Sequence, residues 1–283
     1  MAIRVPVGHE FFDEIIKNGA YYVDKTELLY ELLDKSEDKV ALITRPRRFG
    51  KSLNMSMIQS FLDIRKDSKD LFKGLAISKH EEFCKEWMNQ YPVIFITLKD
   101  VEGLTFRSAM DMLHIIIAEA ARSYRYLGKS DKPDQADKDD FIKLINKTAN
   151  EKEIQNSLKT ITRMMTAYYG KEAILLIDEY DVPLAKAREN GYYREMLEVI
   201  RGLLSSALKS NTALKFSVVT GCLRIAKESI FTGVNNFKSY SVLNEDFSRY
   251  FGFTSQEVSD LLHAAGRESH AELLRQWYDL YRD

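Results

Sequence analysis

A short apolar run, Val40-Ala-Leu-Ile-Thr44, feeds a basic loop, Arg45-Pro-Arg-Arg-Phe-Gly-Lys-Ser52, and then a helix-periodic stretch from Leu53 to Ile64. Strand, tight loop and helix in that order restrict the fold more than any other feature of the chain. Gly50-Lys51-Ser52 at the junction also carries chemistry. Phosphate oxygens are held by backbone N–H groups at a helix N-terminus and by a lysine ammonium, and a hydroxyl beside the lysine suits Mg²⁺. The full pattern G-x-x-x-x-G-K-[ST] asks for glycine at position 45, where this chain has Arg45 followed by Pro46. Arg45, Arg47, Arg48 and Lys51 are more cations than such a loop requires. They are read either as extra charge neutralisation or as salt bridges to an adjoining domain.

A second element strengthens the reading. Ile174-Leu-Leu-Ile-Asp178-Glu179 is an apolar run ending in two acids, 126 residues after Ser52. Asp178 is placed to hold the Mg²⁺ shell beside Ser52, and Glu179 to orient or deprotonate an attacking water. A third run, Lys215-Phe-Ser-Val-Val-Thr220, ends in Thr220-Gly221-Cys222-Leu223-Arg224. Thr220 would sit between the two acidic and basic elements. Arg224 is a candidate finger or sensor, because a guanidinium matches phosphate oxygens bidentately, or else it pairs with an acid on a solvated turn.

Val93-Ile-Phe-Ile-Thr-Leu98 is another strand, and 235–242 adds a short one. Helices are expected near 24–36 (capping box Asp24/Glu27), 106–126, 138–148, 151–168 (Asn150/Glu153) and 192–208. Residues 127–140 are polar, contain Pro133 and read as a surface loop. Apolar strands separated by helices of ten residues or more make an α/β fold, a parallel sheet covered on both faces, at about 36–244. Residues 1–35 form a lead segment. From 245 the character changes: Thr254/Glu257 opens a helix that stops at Gly266, and 268–281 forms another, the start of a helical lid. On that last helix Leu273, Leu274, Trp277, Tyr278 and Tyr281 make a wide apolar stripe. The stripe packs on the lid helix, pairs with a second copy, or meets a downstream domain.

Several function classes recede. With 41 basic against 42 acidic residues the net charge is -1, so nucleic-acid binding has no support from overall charge. Cys84 and Cys222 make neither a disulfide framework nor a metal-ligand spacing, and the five histidines show no metal pattern. The N-terminus MAIRVPVGHEFF lacks the pattern of a secretory signal, and no apolar run approaches the roughly 20 residues that cross a bilayer. A cytoplasmic protein without a membrane span is expected.

At these residues the chain resembles the bacterial AAA-ATPase-like family, P-loop ATPases close to the archaeal-type and STAND ATPases. The matching pieces are Pro6-Val-Gly8 with Phe11 or Phe12, Tyr21-Tyr-Val-Asp-Lys-Thr26, Thr44 to Ser52, Ile177-Asp-Glu-Tyr-Asp181 with Pro183, and Thr220-Gly221. Phe251-Gly-Phe-Thr254 and Trp277-Tyr-Asp279 continue the likeness over nearly the whole chain, and the arginine-rich loop is a trait of the family. The resemblance implies an ASCE-type P-loop NTPase fold with sheet order 5-1-4-3-2, ending in a helical or winged-helix lid subdomain. It also implies that family members often continue into a PD-(D/E)XK nuclease-like domain. Leu280 stands where the family usually has glycine, so the chain reads as a piece of a longer protein.

The expected function is Mg²⁺-dependent ATP binding with slow hydrolysis, a conformational switch. Lys51 contacts the β- and γ-phosphates, Ser52 and Asp178 hold Mg²⁺, and Glu179 is the catalytic base with Lys51 and Arg224 in support. The loop from Arg47 through Arg48, Phe49, Gly50, Lys51 and Ser52 to Leu53 cradles the nucleotide, with Thr220 beside it. The rivals are a nucleotide-binding regulator that does not turn over and a DNA or mobile-element accessory protein whose ATPase core is scaffold.

Overall fold

Runs that are apolar at every position become strands buried on both faces. In the computed structural model, which describes residues 3–6, 8–34, 38–222, 231, 237–242, 244 and 246–279, β1 (Val40–Thr44) and β3 (Ala173–Asp178) are buried along their whole length. With β2 (Val93–Thr97), β4 (Leu214–Gly221) and β5 (Phe237–Tyr240) they form one sheet of order β2-β3-β4-β1-β5. Every neighbouring pair is parallel. This is the α/β architecture and the strand order expected above.

Successive strand side chains point to opposite faces, and two cores result. Ile174 and Leu176 of β3 enter a core roofed by α1 (Phe12–Lys17), α2 (Glu27–Leu33), α3 (Lys51–Leu62), α4 (Lys69–Phe72) and α5 (Glu81–Trp87). Ala173, Leu175 and Ile177 enter the other, built with α6 (Phe106–Arg122), α7 (Gln135–Asn146), α8 (Glu151–Tyr169), α9 (Val182–Glu189) and α10 (Tyr193–Leu208). In β4 the alternation slips: Ala173 pairs with Leu214 but Ile174 with Phe216. The extra residue of this bulge is Lys215, which stays exposed.

Two local expectations are corrected. Helix α2 begins after Thr26, with no side-chain cap. Asp24 instead accepts the N–H of Thr26 (2.9 Å) and the N–H of Ala76 (2.6 Å), a tertiary partner that a local pattern does not reveal. The segment 127–140 is not one loop either. Leu127 is fully buried in a 3-10 turn, Arg125–Lys129, and α7 starts at Gln135 behind an Asp134 cap. The first turn of α7, Gln135 to Lys138, carries no large apolar side chain, so a periodicity reading starts the helix late, near 138.

Beyond the sheet, Thr254 and Glu257 form their capping box on the helix Ser255–Ala265, which Gly266 closes at φ +62°. After the turn Glu268–His270 comes the helix Ala271–Asp279. Leu273 is half exposed, while the side chains of Trp277 and Tyr278, and Tyr281 altogether, lie outside the described residues. Among the described residues no helix is long and apolar enough to cross a membrane. Phe247, Tyr250 and Phe251 pack into the core beneath α1 to α5. Lys25 ties the same stretch to the N-terminal segment, its Nζ donating to the Arg249 carbonyl (2.6 Å) and to Glu257 Oε1 (2.5 Å).

Candidate functional site

The three central strands end side by side at Asp178, Gly221 and Thr44. In an open parallel sheet the crevice beyond those carboxyl ends is where ligands sit. β1 leaves it through the loop 45–50. Arg48 (φ +67°) and Gly50 (φ +74°) both adopt left-handed backbone there. Glycine does so freely, but at arginine it costs about 1–2 kcal/mol. Residues 46–50 are exposed. Among the described residues, the N–H groups of Arg47 to Gly50 find no backbone acceptor. They stand at the N-terminus of the 12-residue α3, so free donors and the positive end of the helix dipole converge on one loop.

Lys51, by contrast, is 6% exposed. Its Nζ donates to the carbonyls of Arg45 (2.9 Å) and Pro46 (2.8 Å) and to Cys222 Sγ (3.4 Å). The ammonium is folded back onto its own loop. Leu53 is partly buried against the core beneath α3.

Ser52 Oγ donates to Asp178 Oδ2 at 2.6 Å. Oδ1 of the same carboxylate accepts the Thr220 hydroxyl and, at 3.1 Å, the Glu179 N–H. One buried carboxylate therefore gathers α3, β4 and the residue after β3. The donor set of one carboxylate and one hydroxyl suits Mg²⁺, which keeps waters and completes its shell with a ligand's phosphate oxygens. Among the described residues there is no group of three or more His, Cys, Asp or Glu that would cage a metal without such a ligand.

Glu179 leaves the strand in a left-handed conformation, φ +55°. The next residue explains the turn: Tyr180 N–H bonds the Thr220 carbonyl (3.1 Å) and the Tyr180 ring is fully buried. Burial, and then the neighbouring Asp178 carboxylate, push the Glu179 carboxyl above the ordinary glutamate range, against the pull of Lys51. Asp181, the other acid of the turn, is buried and accepts the Cys222 N–H at 3.1 Å.

Gly221, part of the Thr220-Gly221 piece of the resemblance, is a close-approach position. A Cβ there would lie 2.6 Å from both the Tyr180 ring and Asp181 Oδ1. Gly221→Ala should cost about 1–3 kcal/mol by overpacking, read as a lower melting temperature. An unchanged melt would mean that the turn after β3 yields.

Among the described residues Arg45 makes no salt bridge. It is 3% exposed, and its guanidinium meets carbonyls rather than carboxylates: Thr44 (2.9 Å), Tyr240 (2.8 Å) and Asp246 (3.4 Å). Arg47 and Arg48 are exposed. Arg224 lies outside the described residues. Cys84 and Cys222 are half-buried free thiols.

A family model described as "Predicted AAA-ATPase" matches residues 6–231. A curated relative, described as "Uncharacterized protein in vnfD 5'region" of Azotobacter chroococcum mcd 1, is 25% identical over 280 residues. The match takes in 98% of this chain and 48% of the relative, so the chain spans about half the length of that protein. No solved structure matches.

Proposed function

This chain belongs to the predicted AAA-ATPase family, and from that premise we propose that it binds Mg-ATP at the carboxyl end of its sheet and hydrolyses it slowly, as a conformational switch. The observation that carries the proposal is the 2.6 Å hydrogen bond between Ser52 and Asp178. It joins the two motifs that would share a metal, 126 residues apart in sequence.

In this reading the free N–H groups of Arg47 to Gly50, with those of Lys51, Ser52 and Leu53, cradle the phosphates while Arg47 and Arg48 add charge from the exposed side. Lys51 leaves the carbonyls of Arg45 and Pro46 for the β- and γ-phosphates. Ser52 and Asp178 would hold Mg²⁺, which neutralises charge developing on the phosphate oxygens. Glu179 accepts a proton from the water that attacks the γ-phosphorus, the bond to the bridging oxygen breaks, and ADP and phosphate leave. A carboxyl held above its ordinary range by burial is a stronger base for that proton than a solvated one. Thr220, bonded to the same carboxylate as Ser52, would sense the γ-phosphate, with Arg224 as a second arm. The ATP-binding domain is taken as residues 1–244, with 1–35 as lead segment and 245–283 as lid. A reducing, cytoplasmic setting suits the two free thiols.

Titrating ATP with and without Mg²⁺ tests the metal assignment. Asp178→Ala should abolish the Mg²⁺ dependence of binding while metal-free nucleotide still binds weakly. If the variant keeps the parent's full response to Mg²⁺, the metal is held elsewhere.

A further inference from the structure

We propose that Arg45 is a positioning residue for Lys51: its buried guanidinium sets the phosphate loop from the position where the usual pattern has glycine. The proposal rests on the Mg-ATP reading of the site and deepens it.

Arg45 is held by both its backbone and its guanidinium. Its N–H donates to the Gly221 carbonyl of β4 at 3.1 Å. Its guanidinium bridges Thr44 O and Tyr240 O, just beyond Ile43–Tyr240, the last pair of the β1–β5 ladder. The far edge of the fork reaches Asp246 O, and the Phe251 ring lies 5.3 Å away. That leaves the Arg45 carbonyl, on which the Lys51 ammonium sits at 2.9 Å. The residue that fixes the loop's entry is therefore also the residue on which the phosphate-binding lysine rests.

The fold itself has little need of this charge. A buried cation held by neutral carbonyls gives up its hydration without a counter-ion. Among the described residues no carboxylate pairs with Arg45. Glycine satisfies the same backbone position in the ordinary pattern. What the arginine adds is registry, because a rigid planar fork bonds several acceptors in one fixed arrangement.

The stretch that receives the fork also grips the loop and its helix directly. Gly252 N–H donates to the Phe49 carbonyl (3.1 Å), and Asn54 Nδ2 donates to the Tyr250 carbonyl (2.8 Å). A Cβ at Gly252 would come within 3.0 Å of the Phe49 ring, so this contact is close. Residues 246–252 and β5 thus form one jaw, Arg45 the strut, and the loop the other jaw.

Equilibrium titration of Mg-ATP separates registry from charge. Arg45→Gly completes the pattern G-x-x-x-x-G-K-S, so a loop limited by its missing glycine would bind better. Arg45→Lys keeps the charge and loses the fork. The proposal expects both variants, measured well below their melting temperatures, to bind Mg-ATP at least about tenfold more weakly, as a displaced binding group does. Binding within twofold of the parent in either variant overturns it: for Arg45→Gly the strut is dispensable, for Arg45→Lys charge alone suffices. Should neither fold, Phe251→Leu removes only the ring beside the guanidinium and is expected to weaken binding about threefold; unchanged binding there overturns the proposal. Lys51→Ala, run alongside, keeps the two readings apart. A parent that binds no Mg-ATP overturns the site reading and this proposal with it. A parent that binds through Lys51 while Arg45→Gly binds equally well overturns this proposal alone.

Discussion

Mg-ATP at about 100 times its dissociation constant adds about 2.7 kcal/mol to the folded state. For a chain of this size the expected rise in melting temperature is roughly 5–10 °C. Lys51→Ala should remove that rise entirely. It should also lower the ligand-free melting temperature by several degrees, because the Arg45 and Pro46 carbonyls lose their charged donor. A hydrogen bond to a charged group is worth about 1.5–3 kcal/mol. Lys51 thus has one duty seen in the structure, on the loop carbonyls, and one proposed, toward phosphate. Thermal melts of both proteins with and without Mg-ATP read each duty separately. An undiminished ATP shift in Lys51→Ala would remove the phosphate loop from the account.

The second large effect is at Glu179. Glu179→Gln keeps the shape and removes the base, so nucleotide binding should persist while phosphate release falls on the order of 10²-fold or more. Its stability should move the other way. A carboxyl whose pKa is raised in the folded chain binds its proton more tightly folded than unfolded, so its contribution becomes more favourable as pH falls and is unfavourable at neutral pH. The glutamine variant is therefore expected to melt higher than the parent at pH 7 and to lose that advantage toward acid. Hydrolysis in Glu179→Gln at the parent's rate would place the base elsewhere, with Asp181 the next acid in the turn.

Much of this arrangement was legible in the chain because it is written in strong patterns. β1 and β3 are continuous apolar runs, as suits strands buried on both faces, and Asp178 and Thr220 stand at the carboxyl ends of β3 and β4 with Ser52 on the helix that follows β1. The strand order followed from the family resemblance rather than from periodicity. The short helices α1, α4, α5 and α9 were not legible, since four to eight residues carry too few apolar repeats to stand out. For Arg45 the four cations of the loop left two readings open, charge neutralisation or a salt bridge, and the carbonyls of Tyr240 and Asp246 that hold its guanidinium lie 195 and 201 residues away in sequence. Lys51 resting on carbonyls, the left-handed backbone at Glu179 and the crowding at Gly221 likewise depend on contacts between segments far apart in sequence.

The most direct test of the central claim is a structure of the chain with Mg²⁺ and a non-hydrolysable ATP analogue. The triphosphate is expected on the N–H groups of Arg47 to Ser52, the metal beside Ser52 and Asp178, and the Lys51 ammonium moved from the carbonyls of Arg45 and Pro46 onto the phosphates. A nucleotide bound away from the carboxyl end of the sheet, or one seated there with Lys51 still on those two carbonyls, would contradict it.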